Sequence, residues 1–192
     1  MSIVAELPLQ TNDLSYSEDA EHYEIVDGLR VELPPMSVDA SIVASDLCVF
    51  LWQYGMANNL GKAYTEVLFR LPLPVDRNRR PDVAFVPFDR WPKNRPGPTA
   101  NAWEVLPDLM VEVISPSDYM DDVLDKLEEY FDAGVRLVWI VVPQKQVVYV
   151  YESPKQIKVL SREDELDGGI VLPGFRLPLQ ELFFDKQESL AG

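Results

Sequence analysis

Two short apolar runs each carry a carboxylate where a strand would be buried: Pro81-Asp82-Val83-Ala84-Phe85-Val86 and Leu109-Met110-Val111-Glu112-Val113-Ile114. Such runs, bounded by breakers, read as strands covered on both faces. An ionised carboxylate inside one costs several kcal/mol unless a metal or fixed cation offsets it. Any fold that buries both runs must therefore bring positive charge to them. Lys126, on the helix predicted after the second run, is the candidate.

At 192 residues with 47% apolar content, the chain is long enough for one domain with a substantial core. The boundaries expected are an arm over 1–20, a single domain over 21–186 and a tail over 187–192. Cys48 is the only cysteine, which excludes an internal disulfide framework and a cysteine zinc site and makes a reducing cytoplasm the natural compartment. It falls in an apolar helical stretch and reads as a small buried hydrophobe. No run reaches the ~18 consecutive apolar residues of a membrane span. The single histidine, His22, supports neither a histidine metal site nor a Ser-His-Asp triad and reads as a surface residue.

The net charge of −15 argues against a simple polyanion binder, because phosphate contacts need positive patches. The acid is unevenly spread, however. Residues 118–132 hold seven Asp or Glu against one Lys, whereas Arg77, Arg79, Arg80, Arg90, Lys93 and Arg95 cluster in sequence around Asp82. That segment is where a nucleic acid is expected to dock, with Arg77, Arg79, Arg80, Lys93 and Arg95 as the contacts.

Asp27-Gly28, flanked by alternating apolar residues, predicts an N-terminal hairpin over 23–33. Pro34-Pro35 ends it, Ser37 caps a helix, and Ile42, Val43, Leu47, Phe50, Leu51 and Tyr54 follow at helical spacing. An alternating strand with Tyr64, Glu66, Leu68 and Arg70 is expected within 61–73. After the Asp82 run, residues 88–107 form a long proline-rich loop anchored by Trp91 and Trp103, and such loops are often functional. Ser115-Pro116-Ser117-Asp118 has the chemistry of a helix start, and Gly134 that of a helix end. A hairpin around Pro143–Gln146, short strands with Gly168-Gly169 and Pro173-Gly174 turns, and an amphipathic turn over 179–184 complete the chain. The order β-β-α-β-β-β-α-β-β describes a mixed sheet with helices packed on it, an α/β (α+β) class.

Strand alternation places Met110, Glu112 and Ile114 on one face, and Asp82 with Ala84 and Val86. If the two strands are neighbours, both carboxylates reach a common cation and Val113 adds a backbone carbonyl. An oxygen-only set of this kind suits Mg²⁺ or Mn²⁺ rather than zinc. Lys126 lies on the ridge Asp118, Asp122, Lys126, Tyr130, beside the apolar face of its helix, so its stem can cross apolar surface and direct the ammonium to the sheet. There it would orient or help deprotonate a water, or stabilise charge on phosphorus oxygens.

These residues resemble a known family. Arg80 to Val86, Pro107 to Asp118, Lys126-Leu127-Glu128-Glu129-Tyr130, Ala133-Gly134-Val135 and Val138-Trp139 are similar to the Uma-two family, nucleases of the restriction-endonuclease-like PD-(D/E)XK superfamily. The likeness extends to Tyr23 to Gly28 and Leu172 to Phe175. It implies a restriction-endonuclease-like mixed sheet core flanked by helices, a divalent-metal site and phosphodiester hydrolysis. It assigns Asp82 and Glu112 as the acidic motif residues, and it also implies pairing into a homodimer. The superfamily lysine stands two residues after the second acid, a place held here by Ile114, so Lys126 would supply it from the helix. Val38-Asp39-Ala40 lacks the histidine often found there, and Val142 stands where an aspartate is common. The expected activity is therefore a Mg²⁺- or Mn²⁺-dependent endonuclease acting on DNA. Its rival is a nuclease fold that has lost turnover and serves as a protein-interaction module, favoured by the acidic charge and by Trp91 and Trp103, which are expected to be exposed.

Overall fold

The computed structural model describes residues 22–183. The arm expected over 1–20 and the tail over 187–192 lie outside the described residues. The strands are β1 (Tyr23–Val26), β2 (Leu29–Glu32), β3 (Gly61–Thr65), β4 (Phe69–Arg70), β5 (Asn78–Arg79), β6 (Val83–Pro87), β7 (Leu109–Val113), β8 (Leu137–Val142), β9 (Val147–Ser153), β10 (Gln156–Ser161), β11 (Glu165–Asp167) and β12 (Arg176–Pro178). The helices are α1 (Val38–Ala57), α2 (Met120–Ala133) and α3 (Leu179–Leu182).

Six strands form the main sheet in the order β10-β9-β8-β7-β6-β3. Only β7 and β8 run parallel, and α2 is the connection between them, as a parallel pair requires. The two acid-bearing runs are indeed neighbours: β6 pairs β7 with Val83 opposite Val111. Leu109, Val111 and Val113 face the core shared with α1, and Met110 faces the core shared with Val123, Leu127 and Tyr130 of α2. One helix therefore covers each face, and Glu112 points to the α2 side. By length and composition alone α1 could cross a membrane; in the fold Ala40, Val43, Ala44, Leu47 and Leu51 are buried against the sheet.

A second sheet, β2-β1-β5-β4, stands beside the α2 layer. Its hairpin turns at Asp27 (φ 53°) and Gly28 (φ 76°), the left-handed pair that two-residue hairpin turns require. Ser37 caps α1 as expected, its side chain accepting from the Ala40 N–H. Cys48 is half-buried against the α1 core rather than fully enclosed.

Three expectations are corrected. The strand expected through 61–73 breaks at Glu66, whose positive φ of 51° ends β3 and turns the chain toward β4. The helix expected from Ser115 starts at Met120, because Asp118 turns back to accept from the Ser115 N–H at 2.7 Å instead of capping forward. Trp103 is 6% exposed, stacked on Phe69, so it anchors its loop but offers no partner surface.

Candidate active site

Asp82 is the last residue before β6, Glu112 the penultimate residue of β7, and Lys126 the middle of α2. The fold brings all three to one end of the β6–β7 pair. Asp82 Oδ2 accepts from the Val113 N–H at 2.5 Å, which ties it to the residue after Glu112. Glu112 Oε2 meets Lys126 Nζ at 3.1 Å, and Glu112 Oε1 accepts from the Tyr130 hydroxyl at 2.5 Å. Lys126 and Tyr130 are one helical turn apart, so α2 presents both to the same carboxylate.

Glu24, on β1, completes the arrangement and was not among the residues singled out from sequence. It is 1% exposed. One oxygen meets Lys126 Nζ at 3.2 Å and accepts from the Arg80 N–H at 2.9 Å. The other accepts from Arg79 at 2.7 Å. The signal that could have found it is the one used for Glu112: an acid inside an alternating strand, here Tyr23-Glu24-Ile25-Val26.

From Glu24 the ion pairs continue outward. Arg79 grips Glu129 with two bonds at 2.6 and 2.9 Å, and Arg77 bridges Glu129 at 3.0 Å to Asp27 at 2.9 Å. These pairs correct the expected basic docking segment. Arg77 and Arg79 are buried and neutralised by carboxylates, since a buried guanidinium is stable only when paired. Arg90 pairs with Asp108 at 2.6 Å. Arg80 donates to the Glu66 carbonyl at 2.5 Å and the Tyr23 carbonyl at 3.3 Å. Lys93 and Arg95 lie elsewhere, in the loop after β6. The segment does not form one basic patch around Asp82.

The site opens into a cavity of about 540 Å³ whose lining includes nine carboxylates and four cations. His22, expected simply at the surface, is part of its wall. Burial pushes the Asp82 carboxyl up to about 8, helped by the charge of Glu112 and opposed by the Val113 N–H and Lys126. Burial likewise raises Glu112, with Lys126 pulling the other way. Burial alone would raise Glu24 too, but Lys126 and Arg79 outweigh it and hold Glu24 below its ordinary value. Burial would lower Lys126, yet Glu112 and Glu24 overcome it and hold the ammonium protonated. Lys126 is therefore held as a cation by the two carboxylates it contacts.

The donor set suits a hard divalent ion. It offers two buried carboxylates and a backbone carbonyl at Val113, all oxygen, with neither sulfur nor imidazole. Among the described residues no cluster of three His, Cys, Asp or Glu side chains forms a complete cage. Remaining positions would fall to water or phosphate oxygens, the usual habit of Mg²⁺.

A mixed sheet flanked by helices, with an acid at the same end of each of two adjacent strands and a helix-borne lysine on the second acid, is the architecture of a restriction-endonuclease-like protein. The chain belongs to the Uma2 family, described as "Putative restriction endonuclease", whose model matches residues 8–180. Among solved structures, that of "a putative nuclease belonging to DUF820 from Anabaena variabilis ATCC 29413" superposes with a TM-score of 0.75 at 20% identity, covering 88% of this chain and 94% of that one. A cryoEM structure of a DrdV-DNA complex matches at a TM-score of 0.37 and 13% identity, over 60% of this chain and 9% of that one, too distant in shape to bear on the fold. No curated protein matches the chain.

Proposed function

We propose that this member of a nuclease family is a metal-dependent endonuclease that hydrolyses phosphodiester bonds in DNA, acting in the cytoplasm. The observation that carries the reading is the convergence of Asp82, Glu112 and Lys126 on one cavity from two strands and a helix. Asp82, Glu112 and the Val113 carbonyl would hold Mg²⁺ or Mn²⁺. When bound, such an ion polarises a phosphoryl oxygen and acidifies its water toward hydroxide.

The chain's own residues do the rest. Tyr130 and Lys126 fix the Glu112 carboxylate from opposite oxygens, so its direction is set before any ligand arrives. Glu24 holds Lys126 in place and keeps it charged, and a fixed ammonium stabilises negative charge developing on phosphate oxygens. Arg79, anchored through Glu129 to α2, fixes Glu24 in turn. A homodimer would present two such sites to two strands.

The test is cleavage of plasmid and labelled oligonucleotide in Mg²⁺ or Mn²⁺, wild type against Asp82→Ala. Metal-dependent cleavage lost in the variant is the expected result; no cleavage by wild type, or equal cleavage by both, overturns it. One observation favours the interaction-module reading: the cations around the cavity are engaged by carboxylates or carbonyls, and acids outnumber them. Calorimetric titration with Mn²⁺ separates the two. Binding that disappears in Asp82→Ala supports the enzyme, and no binding up to millimolar metal supports the module.

A further inference from the structure

We propose that a second pocket, at the β3 edge of the main sheet, receives an unpaired base of a single-stranded nucleic acid beside the carboxylate site. The proposal rests on the nuclease reading and names the form of its substrate.

The pocket encloses about 450 Å³. Buried Trp103 forms its floor; the rings of Tyr64 and Trp91, the two only partly buried, both stand at 88° to it, with centroids 5.1 and 5.0 Å away. The Arg95 guanidinium lies 3.9 Å over the Trp91 ring, and the Trp91 indole N–H donates to the Arg95 carbonyl at 3.3 Å. Lys62 lines the same pocket and donates to the Lys93 carbonyl at 3.4 Å. Among the described residues no carboxylate lines it. Among the described residues, Lys62, Lys93 and Arg95 make no ion pair, whereas Arg77, Arg79, Arg90 and Lys126 all do. In a chain of net charge −15, positive charge left uncompensated beside clustered aromatics is the complement of a base with its phosphates.

The two pockets are lined from one short chain segment. Tyr64, Val67 and Leu68 line the aromatic one and Glu66 lines the carboxylate one. The Glu66 N–H donates to the Asp82 carbonyl at 3.3 Å. Tyr64 pairs with Ala84, which shares the Asp82 face of β6, so standard strand dimensions put Tyr64 on the order of 8 Å from Asp82. A nucleotide seated in the aromatic pocket thus lies next to the acids. Paired bases inside a duplex have no open ring face to offer, so the occupant is an unpaired base.

The probes are fluorescein-labelled oligothymidylate, oligouridylate and a blunt duplex, read by anisotropy in EDTA, where no turnover occurs. Wild type is expected to bind the single strands with quenching of tryptophan fluorescence and the duplex about tenfold more weakly. Trp91→Ala and the surface variant Arg95→Glu are each expected to weaken single-strand binding about tenfold, with an unchanged circular dichroism spectrum. The two single-strand arms assign the sugar. No single-strand binding, binding by both variants equal to that of wild type, or occupancy by a proline-rich peptide and not by either oligonucleotide overturns the proposal. Failure here is distinguishable from failure of the nuclease reading. If wild type cleaves plasmid but the variants bind single strands normally, only the pocket falls. If the variants lose binding but wild type never cleaves, only the nuclease falls.

Discussion

The two cavities on the α2 face of the sheet are built from opposite materials. One gathers nine carboxylates and pairs Arg77, Arg79 and Lys126 with them; the other, among the described residues, has no carboxylate, three clustered aromatic rings and two cations, Lys62 and Arg95, that make no ion pair. The first spends most of its charge internally: Arg79 is bonded to Glu24 and Glu129, and Lys126 to Glu24 and Glu112, which fixes the carboxylates but leaves little positive charge to attract a polyanion. The second leaves its charge to a visitor. Rigid placement of reacting groups and attraction of a polyanion are competing uses of the same side chains, here divided between two pockets that residues 64–68 both help to line.

The sharpest way to break that separation is kinetic. Asp82→Ala is expected to lower kcat by two to three orders of magnitude, the scale of losing one electrostatic stabiliser, with single-strand affinity in EDTA unchanged. Trp91→Ala and Arg95→Glu are expected to raise KM for a single strand with kcat intact. Steady-state cleavage assays of all three check it, and a variant that moves both parameters together would merge the two pockets into one function.

Stability gives the next test. Glu24 is buried between Lys126 and Arg79, so Glu24→Gln leaves two buried cations short of a partner and is expected to cost about 3 kcal/mol. Urea unfolding measures it. Trp91→Ala, at a half-exposed ring, is expected to cost less than half as much.

Those networks also mark what the sequence made legible. Asp82, Glu112 and Lys126 were readable because a charge inside an apolar run, or beside a helix's apolar face, is a conflict visible in one dimension. That their two strands are neighbours stood only as a condition in the sequence and is set by the sheet, where β6 pairs β7. Glu24 carried that signal more weakly, in a four-residue strand. Arg77 and Arg79 were misjudged as a docking surface, since nothing local shows that Glu129, fifty residues on, would neutralise them. The aromatic pocket was invisible as a pocket: Trp91 and Trp103 were marked as anchors, but the break at Glu66 that sets Tyr64 beside them depends on tertiary structure.

The titration of Asp82 sharpens the contrast further. Its carboxyl sits near 8 in the fold and in the ordinary aspartate range when unfolded, so the folded state holds the extra proton between those values. That contribution to stability is fully present below about pH 4 and is lost as pH rises through 8. Asp82→Asn removes the slope. Measured by urea unfolding in EDTA from pH 5 to 8, the variant's advantage is expected to widen by about 1.4 kcal/mol per pH unit. Arg95→Glu, remote from that carboxyl, is expected to keep the wild-type slope.

Salt supplies the smallest and most specific effect. If Lys62, Lys93 and Arg95 each neutralise one phosphate of a single strand, the logarithm of affinity falls with the logarithm of salt at a slope of about −2. Between 50 and 200 mM that is a loss of about eighteenfold in wild type. Lys93→Gln is expected to reduce the slope by about 0.7, whereas Asp82→Asn leaves it unchanged. Anisotropy titrations at three salt concentrations read both. A slope near zero would mean that the uncompensated cations meet no phosphate, and the aromatic pocket would then bind through stacking alone.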